Sequence, residues 1–219
     1  GFKEYKEIGG GAIEEGRIVV DGIHYEITKT PYASEEGTLQ CYVVSPVESG
    51  YPNGDEYSGV VTIPEFITYN NKKYAVVQIR NQAFYMQSAV TEVKIPSTVT
   101  IIGSQAFQES GITAITIPAN VNRIDNYAFR RCTALKGMTA KALTPATASS
   151  GTFATITSTC RLYVPRGCVA AYKAANYWKD FTTIEEDPNS AILPTSVVIT
   201  GMPRTLLAVS YTHLTLPTT

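Results

Sequence analysis

Acid–base, nucleophilic or metal chemistry in this chain would have to come from two histidines, four cysteines and a few acidic clusters. His24 and His213 lie far apart, and neither can be assembled with a serine or carboxylate into a proton relay. His24 reads as a satisfied strand histidine rather than a base. Cys41, Cys132, Cys160 and Cys168 form no C-x-x-C pair and are too few and too irregular for a disulfide scaffold. Cys160 and Cys168 can be bridged only if the fold brings their α-carbons within about 7 Å; the alternative is free thiols in a core. Glu14-Glu15, Glu35-Glu36 and Glu185-Glu186-Asp187 read as solvated acids of loops or linkers. Gly9-Gly10-Gly11 lacks the Lys-Ser/Thr of a phosphate loop and a preceding buried strand, so it reads as a flexible lead-in. H-E-x-x-H, G-x-S-x-G and EF-hand patterns do not occur. The expectation is a non-enzymatic chain with no catalytic residues, no cofactor and no metal.

Composition narrows the classes further. The 219 residues are 44% hydrophobic and carry 18 basic against 19 acidic side chains, a net charge of −1 that gives no basic face for nucleic acid. No apolar run reaches the roughly 18–20 residues of a membrane helix. The opening Gly1-Phe2-Lys3-Glu4-Tyr5 has no signal-peptide character and reads as the start of a mature chain.

Internal repetition decides the architecture. Val93-Lys94-Ile95-Pro96 through Ala106-Phe107 aligns without a gap on Ile115-Thr116-Ile117-Pro118 through Ala128-Phe129, and both read apolar-x-apolar-Pro-x-x-Val-x-x-Ile-x-x-x-Ala-Phe. Pro96 and Pro118 are 22 residues apart, as are Phe107 and Phe129. Upstream, Ile63-Pro64 and Ala83-Phe84 frame a longer unit whose extra residues, Thr68 to Val77, read as a hairpin turning at Asn70-Asn71. Downstream, Met138-Thr139-Ala140-Lys141 takes the strand frame, Phe153 the aromatic position, and Leu162-Tyr163-Val164-Pro165 closes the series.

Alternation at Val93/Ile95 and Ile115/Ile117 predicts short strands with one buried face, and the proline after each strand ends pairing and turns the chain. One such unit cannot bury its own apolar face, whereas stacked units share a continuous core. The fold class is therefore a β-rich repeat solenoid of four to five units, with an ordinary sandwich as the lesser alternative. At these residues the sequence resembles the BspA-like leucine-rich repeats of bacterial surface proteins, from about residue 18 to 186. Gly103 matches that family's Gly where Asp125 replaces it one unit later; Cys132 matches its terminal Cys where Ser110 stands one unit earlier. The resemblance implies a leucine-rich-repeat-like right-handed coil. It also implies a bacterial cell-surface or secreted protein that mediates adhesion.

The open ends of a solenoid must be covered. Residues 1–17 read as lead-in, 18–63 as an N-terminal antiparallel β cap plus first strand, and 64–186 as the solenoid with its C-terminal cap. In that cap Val169 to Asn176 is a short helix, with Tyr177, Trp178 and Phe181 covering the last coil. Residues 187–219 read as a linker, then Pro194-Thr195-Ser196-Val197-Val198-Ile199-Thr200-Gly201, which resembles the first strand of a group 2 bacterial immunoglobulin-like domain. The final Ser210 to Thr219 looks like translated adaptor read-through, a non-native tail.

Function is then a matter of surface. Strands in register place Glu92 and Lys94, Ala114 and Thr116, Gly137 and Thr139, and Arg161 and Tyr163 in outward columns. We take Glu92, Lys94, Thr116, Thr139, Arg161 and Tyr163 as candidate binding residues, with Arg161 and Tyr163 as anchors. The alternative is that they are simply the solvated face of a sheet. Eight of 14 tyrosines precede residue 75, either as a second recognition patch or, preferably, as hairpin packing. The partner expected is a host or cell-surface protein or glycan, bound by a monomer without nucleic acid or membrane insertion. A structural spacer in a multi-domain surface protein is the alternative function.

Overall fold

A computed structural model describes residues 16–27, 39–47 and 56–191. Strands β1 (Gly16–Val20) and β2 (Ile23–Ile27) form an antiparallel hairpin across Asp21-Gly22. β3 (Leu39–Val43) pairs antiparallel with β2. After β4 (Gly59–Thr62), the expected hairpin is present as β5 (Phe66–Tyr69) and β6 (Lys72–Ile79). Its Asn70 and Asn71 sit at φ 47° and 59°, the paired left-handed conformation of a tight hairpin turn.

The repeats follow as β7 (Val90–Lys94), β8 (Ile101–Ile102), β9 (Ala114–Ile117), β10 (Arg123–Ile124), β11 (Gly137–Ala140), β12 (Thr147–Ala148) and β13 (Arg161–Val164). Helix α1 (Val169–Ala174), a 3-10 turn at Trp178–Asp180 and β14 (Ile184–Glu186) complete the described chain. Alternate strands go to two sheets. β4, β7, β9, β11, β13 and β14 form an all-parallel sheet in chain order. β3, β6, β8, β10 and β12 form a second parallel run, which β1 and β2 extend and β5 flanks.

A third side of each coil is built from turns. Every Ala-Phe position is bracketed by left-handed residues: Gln82 and Met86, Gln105 and Glu109, Tyr127 and Arg131, and, around Thr152-Phe153, Gly151 and Thr155. This backbone form costs a non-glycine residue about 1–2 kcal/mol. It aims alternate N–H groups at the next coil. Gln82, Phe84 and Met86 donate to the carbonyls of Ser104, Ala106 and Gln108 at 3.0, 2.7 and 2.9 Å. Gln105, Phe107 and Glu109 repeat the pattern to Asn126, Ala128 and Arg130 at 2.9, 2.8 and 2.9 Å. At about 1 kcal/mol each, these bonds offset the conformational strain.

The interior carries the row that the repeat requires. Phe84, Phe107 and Phe129 are fully buried, with successive ring centroids 5.2 Å apart and planes within 4° of parallel. Tyr57 extends the row at one end, and Phe153, Trp178 and Phe181 extend it at the other. Offset aromatic pairs of this kind add about 0.5–1.5 kcal/mol each beyond area burial. Gly103 shows why its position favours glycine: a Cβ there would stand 2.7 Å from the Asn81 backbone nitrogen of the preceding coil.

The C-terminal end differs from the sequence expectation. Glu185 and Glu186 are not loop acids but belong to β14, paired with Tyr163 and Val164. Asp187, read as the first linker residue, is buried, its backbone N–H bonded to the Val164 carbonyl at 2.7 Å and its carboxylate to Lys141 at 2.6 Å. The motif hid this rung because β14 has no Ile-Pro signature and sends only one apolar side chain, Ile184, into the core. The short helix is there, and Tyr172 and Trp178 donate to the carbonyls of Ala142 and Ala146, both at 2.8 Å. The four cysteines are free and buried, so Cys160 and Cys168 are not bridged. Pro194–Gly201, the immunoglobulin-like stretch, and the terminal tail lie outside the described residues.

Candidate functional site: the outward face of the all-parallel sheet

Period-2 alternation in each strand sends Val93, Ile115, Met138 and Leu162 into the core and their neighbours outward. Because the strands are parallel and in register, those neighbours line up. One column runs Val60, Glu92, Ala114, Gly137, Arg161. The next runs Thr116, Thr139, Tyr163, Glu185, with Lys94 on β7 paired to Thr62. All six candidate residues therefore share one face. Lys94, Thr116 and Arg161 are exposed, while Glu92, Thr139 and Tyr163 are half-buried.

Between the ends of the face lies a shallow, solvent-open depression of about 190 Å³. Its sides are Glu92, Thr116, Thr139 and Tyr163, and its floor is Ala114 and Gly137. Lys94 and Arg161 flank it rather than line it. Gly137 leaves the floor open: the space a Cβ would take is met only by Tyr163 Cε2, 3.8 Å away. Arg161 reaches Glu185 at 3.9 Å. Glu92 and Lys94 form no ion pair among the described residues. Sequence reasoning missed Glu185, although it stands 22 residues after Tyr163, one period of the repeat.

The other candidate chemistry is placed as packing. The His24 ring meets Tyr57 edge-on at 6.3 Å, and burial, with Arg17 nearby, holds its pKa below the ordinary histidine value. Burial pushes the thiols of Cys41, Cys132 and Cys160 up to about 12, 11 and 11, far from a nucleophilic thiolate. Among the described residues no three His, Cys, Asp or Glu side chains gather to hold a metal. No described helix is long and apolar enough to cross a membrane. Of the early tyrosines, Tyr25, Tyr57 and Tyr74 are buried and Tyr42 lies under the Arg80 guanidinium at 4.1 Å. His213, Tyr32 and Tyr51 fall outside the described residues.

The family model described as BspA type leucine rich repeat region matches residues 65–182, in six copies. The chain belongs to that family. Six copies exceed the four to five units expected from the Ile-Pro motif; the all-parallel sheet likewise has six strands.

Among solved structures, a leucine rich cell surface protein from Faecalibacterium prausnitzii A2-165 is similar at 22% identity and a TM-score of 0.51, over 80% of this chain and 43% of that one. The chain thus spans less than half the length of that protein. A leucine-rich repeat protein from Bacteroides capillosus ATCC 29799 matches at 22% identity and a TM-score of 0.47, over 79% of this chain and 99% of that one. One from T. pallidum matches at 16% and 0.47, over 80% and 84%. Comparison with curated proteins gives no match.

Proposed function

We propose that this BspA-type solenoid is the recognition module of a bacterial cell-surface or secreted protein, adhering to host proteins, glycans or other cells through the outward face of its all-parallel sheet. The observation that carries the reading is the registered pair of outward columns, which gathers Glu92, Thr116, Thr139 and Tyr163 around one open depression. Family membership supports a binding or surface role, and the cell-surface description of the Faecalibacterium protein agrees with it. We take the coil as right-handed, β1 and β2 as its N-terminal cap, and the module as a monomer. The chemistry of the face is contact, not catalysis.

A spacer role is favoured by one feature: the face offers only Tyr163 and Arg161 as large anchors, fewer than a protein hot spot usually gathers. Saturable binding to cells or immobilised matrix proteins separates the two. A recognition module binds, and Arg161→Ala with Tyr163→Ala weakens it at least tenfold. A spacer shows no saturable binding with either chain.

A further inference from the structure

We propose that the depression between Glu92 and Tyr163 is a subsite for one pyranose ring of a neutral oligosaccharide. The inference rests on the recognition-module reading and names its ligand class. Four properties of the site point there. Tyr163 is half-exposed, and its ring contacts no other ring or cation among the described residues, leaving an aromatic surface for the C–H face of a sugar. The Glu92 carboxylate and the Thr116 and Thr139 hydroxyls line the same space. A carboxylate only accepts and a hydroxyl both donates and accepts, the set that vicinal sugar hydroxyls require.

Charge on the face balances, Glu92 and Glu185 against Lys94 and Arg161, so nothing there favours a sulfated or sialylated chain over a neutral one. Size agrees as well. About 190 Å³ lies below the roughly 300–1,000 Å³ of pockets for drug-sized ligands. Glu92 and Tyr163 stand three strands apart, about 14 Å at ordinary strand spacing, in an opening that lets a chain continue past the bound ring. A protein partner would need about 800 Å² on its side around several buried anchors, and this face offers only two large side chains, Arg161 and Tyr163.

The test is a printed array of neutral, sialylated and sulfated oligosaccharides, followed by an amide NMR titration with the strongest neutral trisaccharide. Neutral glycans should be retained, with shifts at Ala114, Gly137 and Thr139. Affinity should fall at least tenfold in Tyr163→Ala, Glu92→Gln and Gly137→Val, and stay unchanged in Tyr127→Ala, an exposed tyrosine on the turn side. Gly137 lies in a strand where a Cβ meets only the Tyr163 ring, at ordinary contact distance, so its variant tests the floor rather than the fold. Retention of only sulfated or sialylated glycans, or neutral binding indifferent to Tyr163→Ala, overturns the subsite. If no glycan binds but binding to cells or matrix proteins persists and is lost with Arg161→Ala and Tyr163→Ala, the sugar inference is wrong and the recognition face stands. If that binding is absent too, both fall.

Discussion

Lys141 and Asp187 lie 46 residues apart and meet where the last rung joins the array, Nζ to Oδ2 at 2.6 Å. The lysine's hydrogen bond, helped by the Asn189 backbone N–H, holds the Asp187 carboxyl below the ordinary aspartate value. A depressed carboxyl contributes stability that is fully present above roughly pH 5 and is lost as acid titrates it through its lowered value. Asp187→Asn keeps an acceptor for Asn189 and removes the charge. Since Lys141 is 41% exposed, water screens the pair, and the loss at pH 7 should be about 1–2 kcal/mol in urea denaturation. The gap between wild type and variant should narrow as the pH falls from about 5; a gap of constant size would show that the charge is not responsible. The cysteines give a second test at this scale. With Cys41, Cys132 and Cys160 pushed up to about 12, 11 and 11, a thiol reagent at pH 8 should leave these three unmodified in the native chain, and react with all four cysteines once it is unfolded.

At the level of the coil, two devices carry the load between neighbours: the aromatic row and the ladder of left-handed turns. Phe107 is stacked between Phe84 and Phe129 and has no room to be replaced by water. Phe107→Ala should cost about 3–5 kcal/mol, and Phe107→Leu distinctly less. The turn ladder predicts a subtler pair. Met86 sits at φ 56° with its side chain 45% exposed, so packing does not confound a change there. Met86→Gly relieves the left-handed strain, less the extra freedom glycine gives the unfolded chain, and should be neutral or stabilising by up to about 1 kcal/mol. Met86→Ile should destabilise by about 1 kcal/mol or more, because a β-branched residue resists positive φ. Equal thermal midpoints for the two variants would count against the ladder as described.

Across the whole molecule, what could be read from the sequence is what each unit states in side chains. Ala-Phe recurs at a fixed interval, so the Phe84–Phe107–Phe129 row and the outward columns follow from stacking alone. The second parallel sheet was illegible because β8, β10 and β12 are two residues long: Ile102 and Ile124 recur in the repeat, but two residues cannot show the alternation that marks a strand, and β12 holds Thr-Ala instead. The turn ladder was illegible for a different reason. The second left-handed position of each turn holds Met86, Glu109, Arg131 and Thr155, alike in backbone and unlike in chemistry, so the neighbouring coil rather than the residue selects the conformation. Nearest-neighbour stabilisation makes a further prediction. Excising Ser97 through Pro118, one full 22-residue period, should leave a chain that folds cooperatively at a lower denaturant midpoint; loss of a cooperative transition would contradict it. The row of rings also ends on the sole tryptophan, Trp178, buried 4.6 Å from Phe153, while a tyrosine holds the opposite end. The molecule therefore carries its own optical gauge: red-shifting indole emission reports unzipping from the carboxyl end and stays silent while the other end frays.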